Sequence, residues 1–243
     1  TLRLWHYFKI EITKQELTSI FDLETRLLPC LIDMKWNGVR VDLEKAGKIK
    51  KDLQKKEKII MQQIKKETGV DVQIFAGTSI QKAFDKLSIP YEHTATGKPK
   101  FDKNFLLTHK HPVPKMIVEA RETNKARTTF IDTILRHSHK GRIHANINQM
   151  RSDEGGGTVT GRFSYSNPNL QQVPARNKEI GPLIRSVFIP NEGCTWGSFD
   201  YSQQEPRVLV HYAALTGGGL KGADEVIESY KTKDPDFHQA VAD

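Results

Sequence analysis

The sequence predicts an α+β fold, a helical amino-terminal part with a projecting helical hairpin followed by a part that carries short strands. Three observations point to it. Residues 44–67 read as one long amphipathic helix. Ile143, Ala145 and Ile147 alternate with His144, Asn146 and Asn148, which is the period of a strand. Thr195–Phe199 reads as a further strand leading into a helix that runs from Gln203 to about Leu215.

The elements follow in order. Thr1–Phe8, with Leu2, Leu4, Trp5 and Phe8, reads as the inside of a helix already under way. Leu17, Ile20, Leu23, Leu27, Leu28, Leu31 and Met34 recur at spacings of three and four and mark one face of the next helix. Pro29 should kink it or mark a boundary, and Gly38 ends it. Val39–Asp42 is a short extended piece, with Asp42 as N-cap of the long helix. In that helix Ala46, Ile49, Leu53, Ile60 and Ile64 form a thin stripe among nine lysines and four acids. So narrow a stripe serves one partner surface, hence the projecting hairpin. Thr78–Ser79 open a short helix, and Tyr91–Lys103, with Gly97 and Pro99, reads as a loop. Pro112 and Pro114 precede a helix over about 115–138, with Ile117, Ala120, Ala126 and Ile131 on its apolar face and Lys125 and Arg127 among its basic residues. Gly155–Gly157 reads as a turn or flexible loop without the spacing of a nucleotide cradle. Val187–Pro190 reads as another strand, and Gly217–Gly219 ends the last helix. Asp236–Asp243 reads as the start of one more helix, so both ends look like interior pieces of a longer protein.

The chain has 243 residues, 37 Lys+Arg and 29 Asp+Glu, a net charge of +8. A basic excess fits a polyanionic partner, and the lysine helix reads either as a solvated face or as a surface along a phosphate backbone. Cys30 and Cys194 lie far apart and form no CxxC, which excludes a disulfide scaffold and a cysteine zinc site. The cysteine usage and the lack of any targeting or membrane-spanning pattern predict a cytoplasmic protein with no membrane partner. His109/His111 and His137/His139 alternate by two, offer no ligand set and are expected to face solvent.

Asp200 follows the strand pattern and precedes the helix pattern. It reads either as a turn or capping aspartate, or as a carboxylate held at a strand end where it can bind Mg²⁺ together with substrate phosphates. Ser202 and Glu205 fit a capping box, Pro206 falls in the first helical turn, and Arg207 lies one turn in. The group sits at a helix N-terminus, which favours anions.

Asp200–Arg207 (DYSQQEPR) resembles motif A of the family A DNA polymerases, the DNA polymerase I family, usually written DYSQIELR. The form is most like that of phage members. Thr160-Gly161-Arg162-Phe163-Ser164 and Asn167 through Asn177 are similar to the family's TGRLSS…PNLQNIP-R segment, and Gly141–His144 to its GR(I/V)H strand. Glu24…Leu28-Pro29 with Asn37–Asp42 resembles the thumb entry, and Asp236-Phe237-His238 the D-(I/F)-H at the start of the fingers.

The resemblance implies a DNA-dependent DNA polymerase that transfers deoxynucleotides to a primer 3′-hydroxyl with two Mg²⁺ ions, on primer-template DNA and deoxynucleoside triphosphates. It implies Asp200 as the catalytic aspartate and metal ligand, with the Tyr201 carbonyl as a further ligand. Arg176, Gln203 and Glu205 would meet the incoming nucleotide, with Glu205 as a steric gate against the ribose 2′-hydroxyl. Arg162, Asn169, Gln171, Gln172, Lys125 and Arg207 would contact DNA. Asn169 and Gln172 read equally as residues that satisfy loop backbone, and Arg207 as a structural ion pair.

It also implies a division into 1–22, the end of a 3′–5′ exonuclease-like domain; 23–140, a helical thumb; 141–235, the first part of an antiparallel-sheet palm; and 236–243, the start of the fingers. The fingers helix and the second catalytic acid would lie past Asp243, so the chain holds part of an active site and should be inactive alone. Gln204 places an amide where the family has an apolar residue, and the triple glycine is an insertion relative to bacterial members. A non-catalytic DNA-binding module derived from a polymerase is the alternative reading.

Overall fold

The structure is a computed structural model that describes residues 1–152, 156–175, 177–215 and 221–232. It divides into two compact units, Thr1–Cys194 and Thr195–Asp243.

In the first unit α1 (Leu2–Lys14) and α2 (Thr18–Asn37) lead to β1 (Val39–Arg40). The expected kink or boundary at Pro29 does not occur, and α2 runs through it as one helix. Proline removes the donor for the Thr25 carbonyl, and Thr25 is exposed, so water can replace the lost bond. Gly38 ends α2 as expected, with φ +60°. A Cβ there would lie 2.6 Å from the Ile143 carbonyl oxygen and 2.8 Å from His144 Nδ1, so the turn and its close neighbour both require glycine.

Asp42 caps α3 (Leu43–Thr68), its side chain accepting from the Lys45 N–H at 2.8 Å. All five stripe residues of α3 are buried. They serve two cores, more than the single partner surface expected of a thin stripe. Ala46, Ile49 and Leu53 pack with Val41, Ala126, Ile131, Ile134, Ile143, Ile184 and Val187. Ile60 and Ile64 pack with Ile80, Phe84, Leu106, Val113 and Ile117. The second core closes under a tip made of α4 (Gly77–Lys86), the hairpin of β2 (Glu92–His93) and β3 (Pro99–Lys100), and α5 (Lys103–Thr108). The segment read as a loop is therefore a short hairpin. Ala76, not Thr78 or Ser79, holds the cap position of α4, and Ser79 Oγ instead accepts from the Gln73 N–H at 2.9 Å.

The facing helix starts at Pro112, earlier than expected, and is one rod in three parts: α6 (Pro112–Lys125), a π-turn (Ala126–Ile131) and α7 (Asp132–His137). As α3 advances from 46 to 64 its partners run back from the 130s to the 110s, so the two rods are antiparallel. Arg127 at the π-turn donates from Nε and Nη2 to Glu57 Oε2 on α3 at 3.1 and 3.0 Å, and Asn124 Nδ2 donates to Glu57 Oε1 at 2.7 Å. Arg121 donates to the carbonyls of Ile74 and Phe101, both at 2.6 Å, fastening the tip to α6. Burial lowers the pKa of its guanidinium.

β4 (Ser138–His139) and β5 (Arg142–Ile143) make an antiparallel sheet with β1 in the order β1-β5-β4, register Val39↔Ile143 and Arg40↔Arg142. Two motif segments far apart in the chain thus pair with each other. The alternation predicted as one strand breaks at His144–Ala145. β6 (Asn146–Asn148) pairs with β7 (Ser164–Ser166) in a separate sheet. The strand expected at 187–190 reduces to a bridge, Phe188↔Val41, after α8 (Ile180–Arg185).

The second unit holds α9 (Gln204–Leu215) and α10 (Ala223–Thr232), with Val210, Ala223 and Tyr230 buried. The strand expected at Thr195–Phe199 is not formed, because no described segment supplies it with backbone partners. Gly217–Gly219, as the end of α9, and residues 236–243 lie outside the described residues.

Candidate active site and nucleic-acid interface

In the second unit Asp200 sits on irregular backbone before α9 and is exposed, with no hydrogen bond or ion pair among the described residues. Tyr201 beside it is also exposed. Helix α9 begins at Gln204, and the carbonyl of Gln203 just before it accepts from the Arg207 N–H at 3.1 Å. The cap therefore falls one residue later than the expected Ser202, and Gln203 itself has φ +51°, unusual for a residue with a side chain. Glu205 lies in the first turn and is exposed. Arg207 donates from Nε to the Ser202 carbonyl at 2.9 Å, and its Cζ stands 4.4 Å from the centroid of the Tyr230 ring. Tyr230 carries no local signal in the sequence and is missed by motif reading. Tyr201, Ser202, Gln204, Arg207 and Val208 line an open recess of about 460 Å³. Gln204, an amide where an apolar residue was expected to pack, is exposed and meets no core.

The first unit carries the remaining candidates. Arg162 is exposed beside Gly161, whose φ is +74°. Asn169 caps the short 3₁₀ turn Leu170–Gln172, its Oδ1 accepting from the Gln171 N–H at 3.0 Å. Gln171 Nε2 donates to the Phe163 carbonyl at 2.9 Å. Asn169 and Gln171 thus shape the loop, and Gln172 is exposed. Asn169 and Gln172 line a recess of about 260 Å³ together with Thr129, Phe130 and Thr133 of the π-turn and α7. Lys125, exposed, ends α6 just before that turn. Arg176 lies outside the described residues.

The lysine face of α3 is only partly free. Lys48 pairs with Glu44, Lys56 with Glu119 and Glu179, and Lys65 with Asp71. Lys50 Nζ lies 2.7 Å from Asp132 Oδ1, an ion contact without hydrogen-bond geometry. The pKa of Lys56 is raised, first by its hydrogen bond to Glu179 and against the effect of burial. Lys45, Lys51, Lys55, Lys58 and Lys66 have no ion pair among the described residues and remain available to an anionic surface.

His139 is exposed as expected, whereas His109 and His111 take structural roles. His109 packs edge-on to Phe105 and Phe84, and His111 caps α6, its Nδ1 accepting from the Val113 N–H at 3.2 Å. No group of three or more His, Cys, Asp or Glu among the described residues is placed to hold a metal, and no helix of the described residues is long and apolar enough to cross a membrane.

A DNA-directed DNA polymerase of Pseudomonas phage M6 is 37% identical over 249 residues, covering 96% of this chain and 37% of the relative. A DNA polymerase DpoZ of Salmonella phage PMBT28 is 35% identical, covering 100% of this chain and 40% of the relative. DNA polymerase I of Helicobacter pylori strain J99 is 33% identical over 94% of this chain and 25% of its own length. Among solved structures, the POL domain of Pol1 from M. smegmatis, in complex with DNA primer-template and dNTP, matches with a TM-score of 0.78 at 25% identity, over 99% of this chain and 41% of that one. The chain therefore spans about two fifths or less of these relatives. A family model described as DNA polymerase family A matches residues 43–243, a span that takes in both the 160–177 segment and the 200–207 segment. The chain belongs to DNA polymerase family A.

Proposed function

We propose that this chain is part of a template-directed DNA polymerase, which extends a primer 3′-hydroxyl with deoxynucleotides on primer-template DNA. The observation that carries the reading is Asp200: a solvent-exposed carboxylate, free of hydrogen bonds and ion pairs among the described residues, immediately before a helix whose first turn holds Glu205. Residues 23–140 would form the thumb and 141–235 the first part of the palm, with 1–22 and 236–243 belonging to the neighbouring exonuclease-like and fingers domains.

The donor chemistry fits a hard divalent cation in part. One free carboxylate followed by a peptide carbonyl, that of Tyr201, is an oxygen set that Mg²⁺ accepts when substrate phosphates and a second acid complete it. Magnesium bound there would activate the primer hydroxyl and neutralise the leaving pyrophosphate. The chain's own residues orient and select. Glu205 would close the space a ribose 2′-hydroxyl needs. Gln203 and Arg176 would meet the triphosphate. Arg162 would reach minor-groove acceptors, which lie similarly on every correct pair and so report geometry, not sequence. Asn169, Gln171, Gln172, Lys125 and Arg207 would hold the duplex, with the free lysines of α3 along its phosphates. The cysteine usage fits a cytoplasmic setting.

The test is Asp200→Ala in the full polymerase. Incorporation is expected to fall by about 10³-fold or more, as for loss of a metal-binding acid, with primer-template affinity unchanged. Retained incorporation would remove Asp200 from the site. A parent protein that binds DNA but never extends a primer would favour the non-catalytic module.

A further inference from the structure

The residue immediately before helix α9 is in an unfavourable backbone state. Gln203 has φ +51°, a region in which side-chain-bearing residues are rare and which persists only where surroundings enforce it. Asp200 and Tyr201 lie just before Gln203 and Glu205 just after, so a relaxed Gln203 would re-aim the gate relative to the acid.

We propose that Tyr230 is a positioning residue for the site, holding the Ser202–Gln203 turn in its left-handed state through Arg207. Three contacts within the second unit converge on that turn. The Tyr230 hydroxyl lies 3.4 Å from Gln203 Oε1 and donates to it. The Tyr230 ring carries the Arg207 guanidinium on its face, 4.4 Å from Cζ to centroid. The same guanidinium donates from Nε to the Ser202 carbonyl at 2.9 Å. Tyr230 is 8% exposed on α10, so its ring is fixed by packing and offers Arg207 a largely desolvated face, where a cation–π contact is strongest. A planar guanidinium can stack and donate in its own plane at once, which a lysine ammonium cannot. The chain of contacts therefore runs from ring to guanidinium to carbonyl, and it clamps the carbonyl next to the strained residue. Tyr230 touches no substrate in this scheme; it acts through Arg207 and Gln203.

The inference rests on the polymerase reading of Asp200 and Glu205, and its test is built to fail separately from it. In the full polymerase, Tyr230→Leu removes ring and hydroxyl while keeping an apolar side chain, and Tyr230→Phe removes the hydroxyl alone. The measurements are kcat/KM for a deoxynucleotide and for its ribonucleotide, together with primer-template affinity. Tyr230→Leu is expected to lower the deoxy-over-ribo preference about tenfold with primer-template affinity unchanged, and Tyr230→Phe to keep most of that preference. Arg207→Lys, which keeps the charge and loses the stacking, is expected to lower the preference equally, and the double variant no further, because both act through one contact. An unchanged sugar preference in Tyr230→Leu overturns the proposal, and so does additivity in the double variant. Should Tyr230→Leu fail to fold, Tyr230→Phe and Arg207→Lys decide: Arg207→Lys with an unchanged preference, or a loss in Tyr230→Phe as large as in Arg207→Lys, overturns it. A parent that does not extend primers, or an active Asp200→Ala, strikes the polymerase reading instead.

Discussion

Helix α3 and the pair α1–α2 carry the same kind of apolar periodicity and meet opposite fates. Every stripe residue of α3 is buried, and the stripe feeds two cores. Helix α1 buries nothing, and α2 buries only Leu31, leaving Leu23, Ile32 and Trp36 exposed, the last at 82%. Where α2 is tied down, the ties are largely polar: Gln149 Nε2 donates to Glu24 Oε2 at 2.6 Å, and Lys35 Nζ to Asn146 Oδ1 at 2.7 Å. Periodicity therefore states that a helix has an apolar face; it does not state that the chain supplies a surface opposite. For α3 the surface exists because the α6–α7 rod runs antiparallel to it and presents Val113, Ile117, Ala126, Ile131 and Ile134 in turn.

The comparison breaks most visibly in the tip core. Phe84 is fully buried and packs against Phe101 with the rings tilted by 58° and their centroids 4.8 Å apart. Phe84→Ala is expected to destabilise by about 3–5 kcal/mol in urea unfolding followed by circular dichroism, the cost of lost burial plus a cavity. A change below about 1 kcal/mol would show that this core collapses freely and that α3 is less well packed than its burial indicates. Next in size is Gly38→Ala, at the junction of the two regions, expected to destabilise by about 2–3 kcal/mol, since the added Cβ meets a backbone carbonyl and the left-handed φ persists. A neutral Gly38→Ala would mean that the α2–β1 turn shifts at no cost. Asp42→Ala, which removes the cap of α3 and nothing else, should cost about 1 kcal/mol, and replacement by Asn should recover most of it.

These ranks also show what was legible. The cap at Asp42, the end of α2 at Gly38 and the residues of the α3 stripe are local patterns and stand as read, although the stripe serves two cores where one partner surface was expected. The π-turn is not local. It inserts a residue so that Ala126 and Ile131 both face α3, and its Arg127 finds Glu57 on a helix distant in sequence, so no window around 126–131 announces it. The 195–199 segment fails for the complementary reason: Trp196 and Phe199 suit a strand, but a strand exists only where another backbone pairs with it. In the candidate site, Glu205 and Arg207 are legible because one helix fixes their spacing, and Asp200 because it lies in the same short motif just before that helix. Tyr230 is not, because its part depends on how α10 packs against α9. Asn169 and Gln171 show the limit of motif reading most directly, since both spend hydrogen bonds on their own loop, whatever else they touch.

The smallest expected effect sharpens the comparison furthest. Leu4 and Leu23 are 55% and 59% exposed, so replacing both by Ser removes little area from any core of the described residues. The double variant is expected to shift unfolding by under about 0.5 kcal/mol, against the several expected for Phe84→Ala. Because the two sites lie on exposed helix faces, the denaturant slope should also stay unchanged, which the same urea series reports. A loss above about 2 kcal/mol would mean that these side chains are covered whenever the protein is folded in solution. The contrast between the α3 stripe and the α1–α2 face would then be one of when each is buried and no longer of whether it is.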